Sequence, residues 1–273
     1  MRRSFVSLMG ADPSDDYFHT FETSWIFPPL ILFCIRALIC AFVFASLFTI
    51  FGWNGAHGQH FDSRQSFSFF TNLTFWGVAF YFLFASIHTF LYYRTGQSVL
   101  FHKWPRALRA LHSLYYSTII TFPFVVTIIY WSFLYDGTWF PIVFDAWRNV
   151  ATHILPAVFA LFEIIFTTTT PPPLLHIVFL ILILLLYLAV AYITYAAQGF
   201  YVYSFLDPGA NGENRSRVAG YCFAILGVTI VIFLIDWLII WLRRRWTSQI
   251  TKWARARYWT SGGDAEMAMH GWK

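Results

Sequence analysis

The sequence predicts an all-α fold, a polytopic membrane protein built as a bundle of six transmembrane helices. Three observations carry that expectation. Of 273 residues, 58% are hydrophobic and only 11% charged, whereas a soluble domain carries about a quarter charged residues to hydrate its surface. Six runs are long and apolar enough to cross the hydrocarbon, which takes about 20 residues as helix. The Lys and Arg residues stand beside those runs, as membrane topology requires.

The first run is Pro29 to Phe51, interrupted only by Arg36. The second, Ser66 to Tyr93, is long enough to tilt. The third, Ser113 to Tyr135, follows a basic stretch holding Lys103, Arg106 and Arg109. The fourth, Arg148 to Phe166, is the least apolar and contains His153 and Glu163. Pro171-Pro172-Pro173 then forces a break, since proline can neither donate to a helix nor continue one. The fifth run reaches from Leu175 to about Tyr203, and the sixth, with Asp236, from Arg217 to Leu242. The expected division is an N-terminal segment over 1–28, a six-helix membrane domain over 29–242 and a basic tail over 243–273. Met1 to Thr20 includes Asp12, Asp15 and Asp16 and lacks the basic-then-apolar layout of a cleaved signal.

Orientation follows from the loop cations. One side holds Arg2, Arg3, Arg94, Lys103, Arg106, Arg109, Arg243, Arg244, Arg245, Lys252, Arg255 and Arg257, which is twelve, before Lys273 is counted. The other holds Arg64, Arg148, Arg215 and Arg217, which is four. Both termini are therefore expected in the cytoplasm, with the endoplasmic reticulum or plasma membrane as host. No basic face interleaves with polar readers, so nucleic acid is not an expected partner. Cys34, Cys40 and Cys222 all lie in apolar segments, which gives neither a disulfide framework nor a zinc spacing. No cofactor is expected either. His88, His112 and His176 each fall at a helix end, and the outer side offers only His153, so no facing pair of haem ligands is legible.

Ionisable groups inside hydrocarbon are costly and need partners. Arg36, Glu163 and Asp236 all fall in the inner half, and Asp236 is the preferred partner for Arg36, with Glu163 second. The outer layer is polar in another way. Thr71 and His153 each stand about five residues inside a helix that runs inward, roughly 8 Å below the interface. Asn72, Thr74, Thr152, Gln198, Tyr201 and Tyr203 fall near the same level. A threonine hydroxyl becomes a nucleophile when a base removes its proton, and histidine is the usual base near neutral pH. Thr and His also hydrogen-bond between membrane helices without any chemistry.

Phe69-Phe70-Thr71-Asn72-Leu73-Thr74-Phe75 resembles the Phe-Leu-Thr segment of the androgen-induced membrane protein family. Thr121-Phe122-Pro123 with Tyr130-Trp131 is similar to the same family, as is His153-Ile154-Leu155-Pro156 followed by Glu163. Gly199-Phe200-Tyr201-Val202-Tyr203-Ser204-Phe205-Leu206 resembles its Gly-aromatic-Val-Tyr-x-Phe-Leu segment. The ordered set covers roughly Ser66 to Leu242. The resemblance implies a six-helix membrane hydrolase of fatty acid esters of hydroxy fatty acids, with the catalytic threonine at Thr71 and the histidine at His153. Its partners would be a lipid ester substrate and the bilayer. Thr74 is the competing threonine, and Pro156 comes close after His153. The second run is also similar to rolling-stone-type membrane proteins, which imply a multi-pass scaffold or receptor without catalysis.

Overall fold

The computed structural model describes residues 5–11 and 19–258. Arg2, Arg3 and the part of the basic tail beyond residue 258, Lys273 included, lie outside the described residues. After a single turn at Phe5–Leu8 the chain forms seven long helices: α1 (Pro29–Ala56), α2 (Phe70–Thr95), α3 (Arg106–Ile129), α4 (Val143–His153), α5 (Leu155–Phe166), α6 (His176–Gln198) and α7 (Arg215–Tyr258). α3 continues into a π-helical turn at Tyr130–Leu134. The fourth span is α4 and α5 together, so six segments are long and apolar enough to cross a membrane. There is no strand among the described residues beyond an isolated bridge between Ser24 and Thr167.

The helix ends follow from local chemistry. α1 begins at Pro29 after Pro28, where a missing N–H costs nothing because the first turn leaves that donor unused. α2 and α6 stop at Gly96 and Gly199, with φ of 66° and 77°, a left-handed conformation that glycine adopts without Cβ strain. The break between α4 and α5 falls at Ile154, with φ −120° and ψ −55°. Pro156, two residues on, has no N–H for the Thr152 carbonyl and clashes with the preceding turn. His153 is thereby left as the last residue of α4.

α3 is the central helix, packed against α2, α5 and α7, while α1 lies along α2. The main core joins Val43 and Leu47 of α1, Phe75, Val78 and Phe82 of α2, Ile119 and Ile120 of α3, Ile164 of α5 and Ile240 of α7. Apolar residues also cover the outside, as Leu182, Leu185, Leu186 and Ile193 do on α6. A surface apolar on both sides of a helix suits a lipid solvent. α7 does not stop at Leu242 as expected. It runs through Arg243 to Tyr258 as one helix.

Candidate functional site

Polar centres interrupt this apolar interior, and three of them bear on the site. The deepest is an ion pair. Arg36 on α1 grips Glu163 on α5 with both prongs, Nε to Oε1 at 2.8 Å and Nη2 to Oε2 at 2.6 Å. Both side chains are fully buried. Nη1 donates to Thr89 Oγ1 at 2.6 Å and to the Phe21 carbonyl at 2.7 Å, and the Tyr81 hydroxyl donates to Glu163 Oε2 at 3.0 Å. The forked geometry suits guanidinium and carboxylate, and the remaining donors complete the solvation that lipid cannot supply. The expected first choice, Asp236, is not the partner. α1 packs against α2, beside α5, while α7 lies against α3. The Asp236 Oδ2 is buried without a hydrogen-bond partner among the described residues.

The second centre comes from the segment before α1. Glu22 is buried, accepts from Ser98, and has Oε1 3.7 Å from His88 Nδ1 and Oε2 3.4 Å from His19 Nδ1. Burial pushes the Glu22 carboxyl up, but the contacts with His19, His88 and Ser98 outweigh it and hold it below its ordinary value. His112 joins the cluster, its ring centroid 5.3 Å from that of His88. Sequence reasoning placed His88 and His112 near one surface but gave no sign of Glu22, because the link is tertiary.

The third centre holds the residues singled out for chemistry. Thr71 lies in the first turn of α2 and is half-buried, whereas Thr74, one turn on, is buried, its hydroxyl without a hydrogen-bond partner among the described residues. α6 fixes this end of α2. The Tyr187 hydroxyl donates to the Ser68 carbonyl at 3.0 Å and accepts from the Phe70 amide at 3.2 Å, and Thr194 donates to Ser68 Oγ at 3.1 Å. The Tyr203 phenol comes back from the chain after α6 to lie against the Thr71 hydroxyl and the Phe70 and Thr71 amides. Burial pushes the Tyr203 phenol up, while Tyr187, Thr71 and those amides pull it the other way. Of the other polar residues expected at this level, Asn72 donates to the Ser66 carbonyl at 3.0 Å and Tyr201 stacks on Tyr195 at 4.0 Å. Gln198 is exposed.

His153 is held on several sides. Its ring stacks on Tyr130 with centroids 3.5 Å apart. Nδ1 is 3.2 Å from the Asn149 carbonyl and 3.1 Å from Thr152 Oγ1. Thr127 donates to the His153 carbonyl at 2.6 Å, and Tyr130 donates to Asn149 Oδ1 at 2.5 Å. A carbonyl facing Nδ1 requires the proton there, which assigns the lone pair to Nε2. Among the described residues Nε2 has no hydrogen-bond partner. Tyr130 and Asn149 were not foreseen as supports for this ring.

Thr71 and His153 belong to helices that touch, α2 and α4. Each stands ten residues before the Tyr81–Glu163 contact (81 − 71 and 163 − 153) on spans that run the same way. No direct hydrogen bond joins them. Thr71 instead meets Tyr203, and His153 meets Tyr130 and Asn149.

Six apolar spans around a fully paired charge define a polytopic helical membrane protein with a polar site at one end of its bundle. The profile of the FAR-17a/AIG1-like protein family matches residues 32–239. The chain belongs to that family, and the matched region takes in Thr71, His153 and the Arg36–Glu163 pair. Comparisons with curated proteins and with solved structures give no match.

Proposed function

We propose that the protein is an intramembrane lipid-ester hydrolase acting on fatty acid esters of hydroxy fatty acids, with Thr71 as nucleophile and His153 as base. The state of the imidazole carries this reading. Its Nδ1 is committed to the Asn149 carbonyl, and its Nε2 lone pair has no partner among the described residues. That is the arrangement a general base needs. The Thr71 hydroxyl attacks the ester carbonyl while its proton passes to Nε2. The oxyanion forms at the start of α2, where the Phe70 and Thr71 amides now meet the Tyr203 phenol. Amides at a helix start, turned toward a developing negative charge, stabilise it more than the neutral ester. Collapse expels the hydroxy fatty acid as its alcohol, which takes the proton from Nε2 and leaves Thr71 acylated. A water deprotonated by Nε2 then attacks the acyl carbonyl, and collapse releases the fatty acid as Thr71 Oγ takes the proton back from Nε2. The Thr71–His153 hydrogen bond forms with substrate in place, since such bonds are often long in unliganded sites.

In this reading the membrane domain spans 29–242, residues 1–28 and 243–273 flank it in the cytoplasm, and acyl chains reach the site sideways from the bilayer. A fluorophosphonate probe tests it. The labelled peptide is expected to carry the adduct on Thr71, with labelling lost in His153→Ala. An adduct on Thr74 or another residue overturns the assignment. The second reading, a non-enzymatic scaffold of rolling-stone type, is favoured by the missing Thr71–His153 hydrogen bond. It predicts no adduct at all.

A further inference from the structure

Away from Thr71 and His153, a cavity of about 690 Å³ lies between α3, α7 and the Pro171–Pro173 loop, with the Ser7–Gly10 stretch along one side. That volume falls within the roughly 300–1,000 Å³ of small-molecule sites. Its walls are largely apolar, formed by Leu8, Phe21, Leu174, Leu175 and Trp237, and Arg244 stands among them. Arg244 is exposed and faces no carboxylate among the described residues. The neighbouring Arg243 is turned inward, donating to the Ile164 and Thr169 carbonyls, and adds a second positive charge beside it. The wall built by the N-terminal stretch is fixed in place. The Met9 carbonyl is 3.3 Å from His176 Nε2, and Gly10 has φ 79° at a position where a Cβ would collide with Ser113.

We propose that this cavity binds one single-chain anionic amphiphile, a free fatty carboxylate, with the head on Arg244 and the chain against Leu174, Leu175 and Trp237. The charge argues for the head: a guanidinium with no carboxylate partner among the described residues, beside an apolar cavity, suits a carboxylate, which it binds through paired N–H donors. The volume argues for one chain. At about 30 Å³ per heavy atom, the volume one water claims in the liquid, the space holds on the order of twenty atoms. A long-chain fatty acid fits that count, and a two-chain phospholipid exceeds it. The site does not rest on the hydrolase reading.

The test is saturation binding of radiolabelled palmitate to the full-length protein in nanodiscs of zwitterionic lipid. Saturable binding is expected, weakened about tenfold or more by Arg244→Ala. Leu174→Trp, at an exposed loop position, should block it by filling the cavity. Arg245→Ala should bind as wild type, because that guanidinium lies over Trp241. Thr71→Ala should also bind as wild type. Four results would overturn the proposal: no saturable binding, wild-type binding by Arg244→Ala, equal competition by methyl palmitate, or equal competition by phosphatidylserine. Loss of binding in Thr71→Ala but not in Arg244→Ala would place the ligand in the other site and refute it equally.

Discussion

Replacing Arg36 by leucine removes four donated hydrogen bonds at once, two to Glu163, one to Thr89 and one to the Phe21 carbonyl. Glu163 keeps only the Tyr81 hydroxyl as a side-chain donor, at 3.0 Å, and stays fully buried. An uncompensated buried charge costs about 3–5 kcal/mol. Arg36→Leu should therefore lower the unfolding midpoint sharply. Glu163→Leu should do the same, because it strands the guanidinium. The double variant replaces a paired charge by apolar volume, which is often neutral or stabilising. It should recover most of the loss, so the coupling between the two sites should come to about 5 kcal/mol or more. Size-exclusion thermostability of the detergent-solubilised protein measures all four states of the cycle. Additive losses would refute the reasoning, since they would mean that neither charge depends on the other. Arg36→Leu with Asp236→Asn serves as the comparison and should show no recovery.

Tyr130→Leu removes the ring under His153 and should lower ester hydrolysis about tenfold or more with little change in KM, as loss of an aligned base does; unchanged kcat would deny the stack a positioning role. Glu22 contributes stability above its ordinary value of 4.5 that is lost as pH falls through its lowered folded value. The stability gap between wild type and Glu22→Gln should thus be full at neutral pH and narrow below about 4.5, and a gap that widens in acid would reverse the sign. Both termini should be cytoplasmic, given twelve loop cations against four; a protease-accessible tag after Lys273 on the far face would contradict the orientation.

Local signals in the sequence carried the six spans, since an apolar run of membrane length has few other uses. Their ends were less legible: the fifth run was read on to Tyr203, past Gly199, whose left-handed backbone stops α6. Arg36 was legible as a buried charge because it interrupts such a run. Its partner was not, because two carboxylates at similar depth differ only in which helix packs on which. The fourth span was read as continuous, although Pro156 already marked the break that ends α4 at His153. Thr71 and His153 were singled out by residue type, depth and resemblance. Their supports, Tyr203, Tyr130 and Asn149, were hidden among many aromatics, 15 of them tyrosines, and their roles depend on a returning loop and on the packing of α3 against α4. Glu22 was invisible for a related reason: its partners His88 and Ser98 are far along the chain.

The most direct measurement is hydrolysis of a fatty acid ester of a hydroxy fatty acid by purified protein, read alongside the mass of the Thr71 peptide. Wild type should turn over and carry a transient acyl group on Thr71. Thr71→Ala should be inactive yet folded, Thr71→Ser should keep part of the rate, and Thr74→Ala should remain active. His153→Ala should be as inactive as Thr71→Ala, and the double variant little worse than either, as expected of residues that act as a unit. Full activity in Thr71→Ala, or an acyl group found on Thr74, would contradict the account.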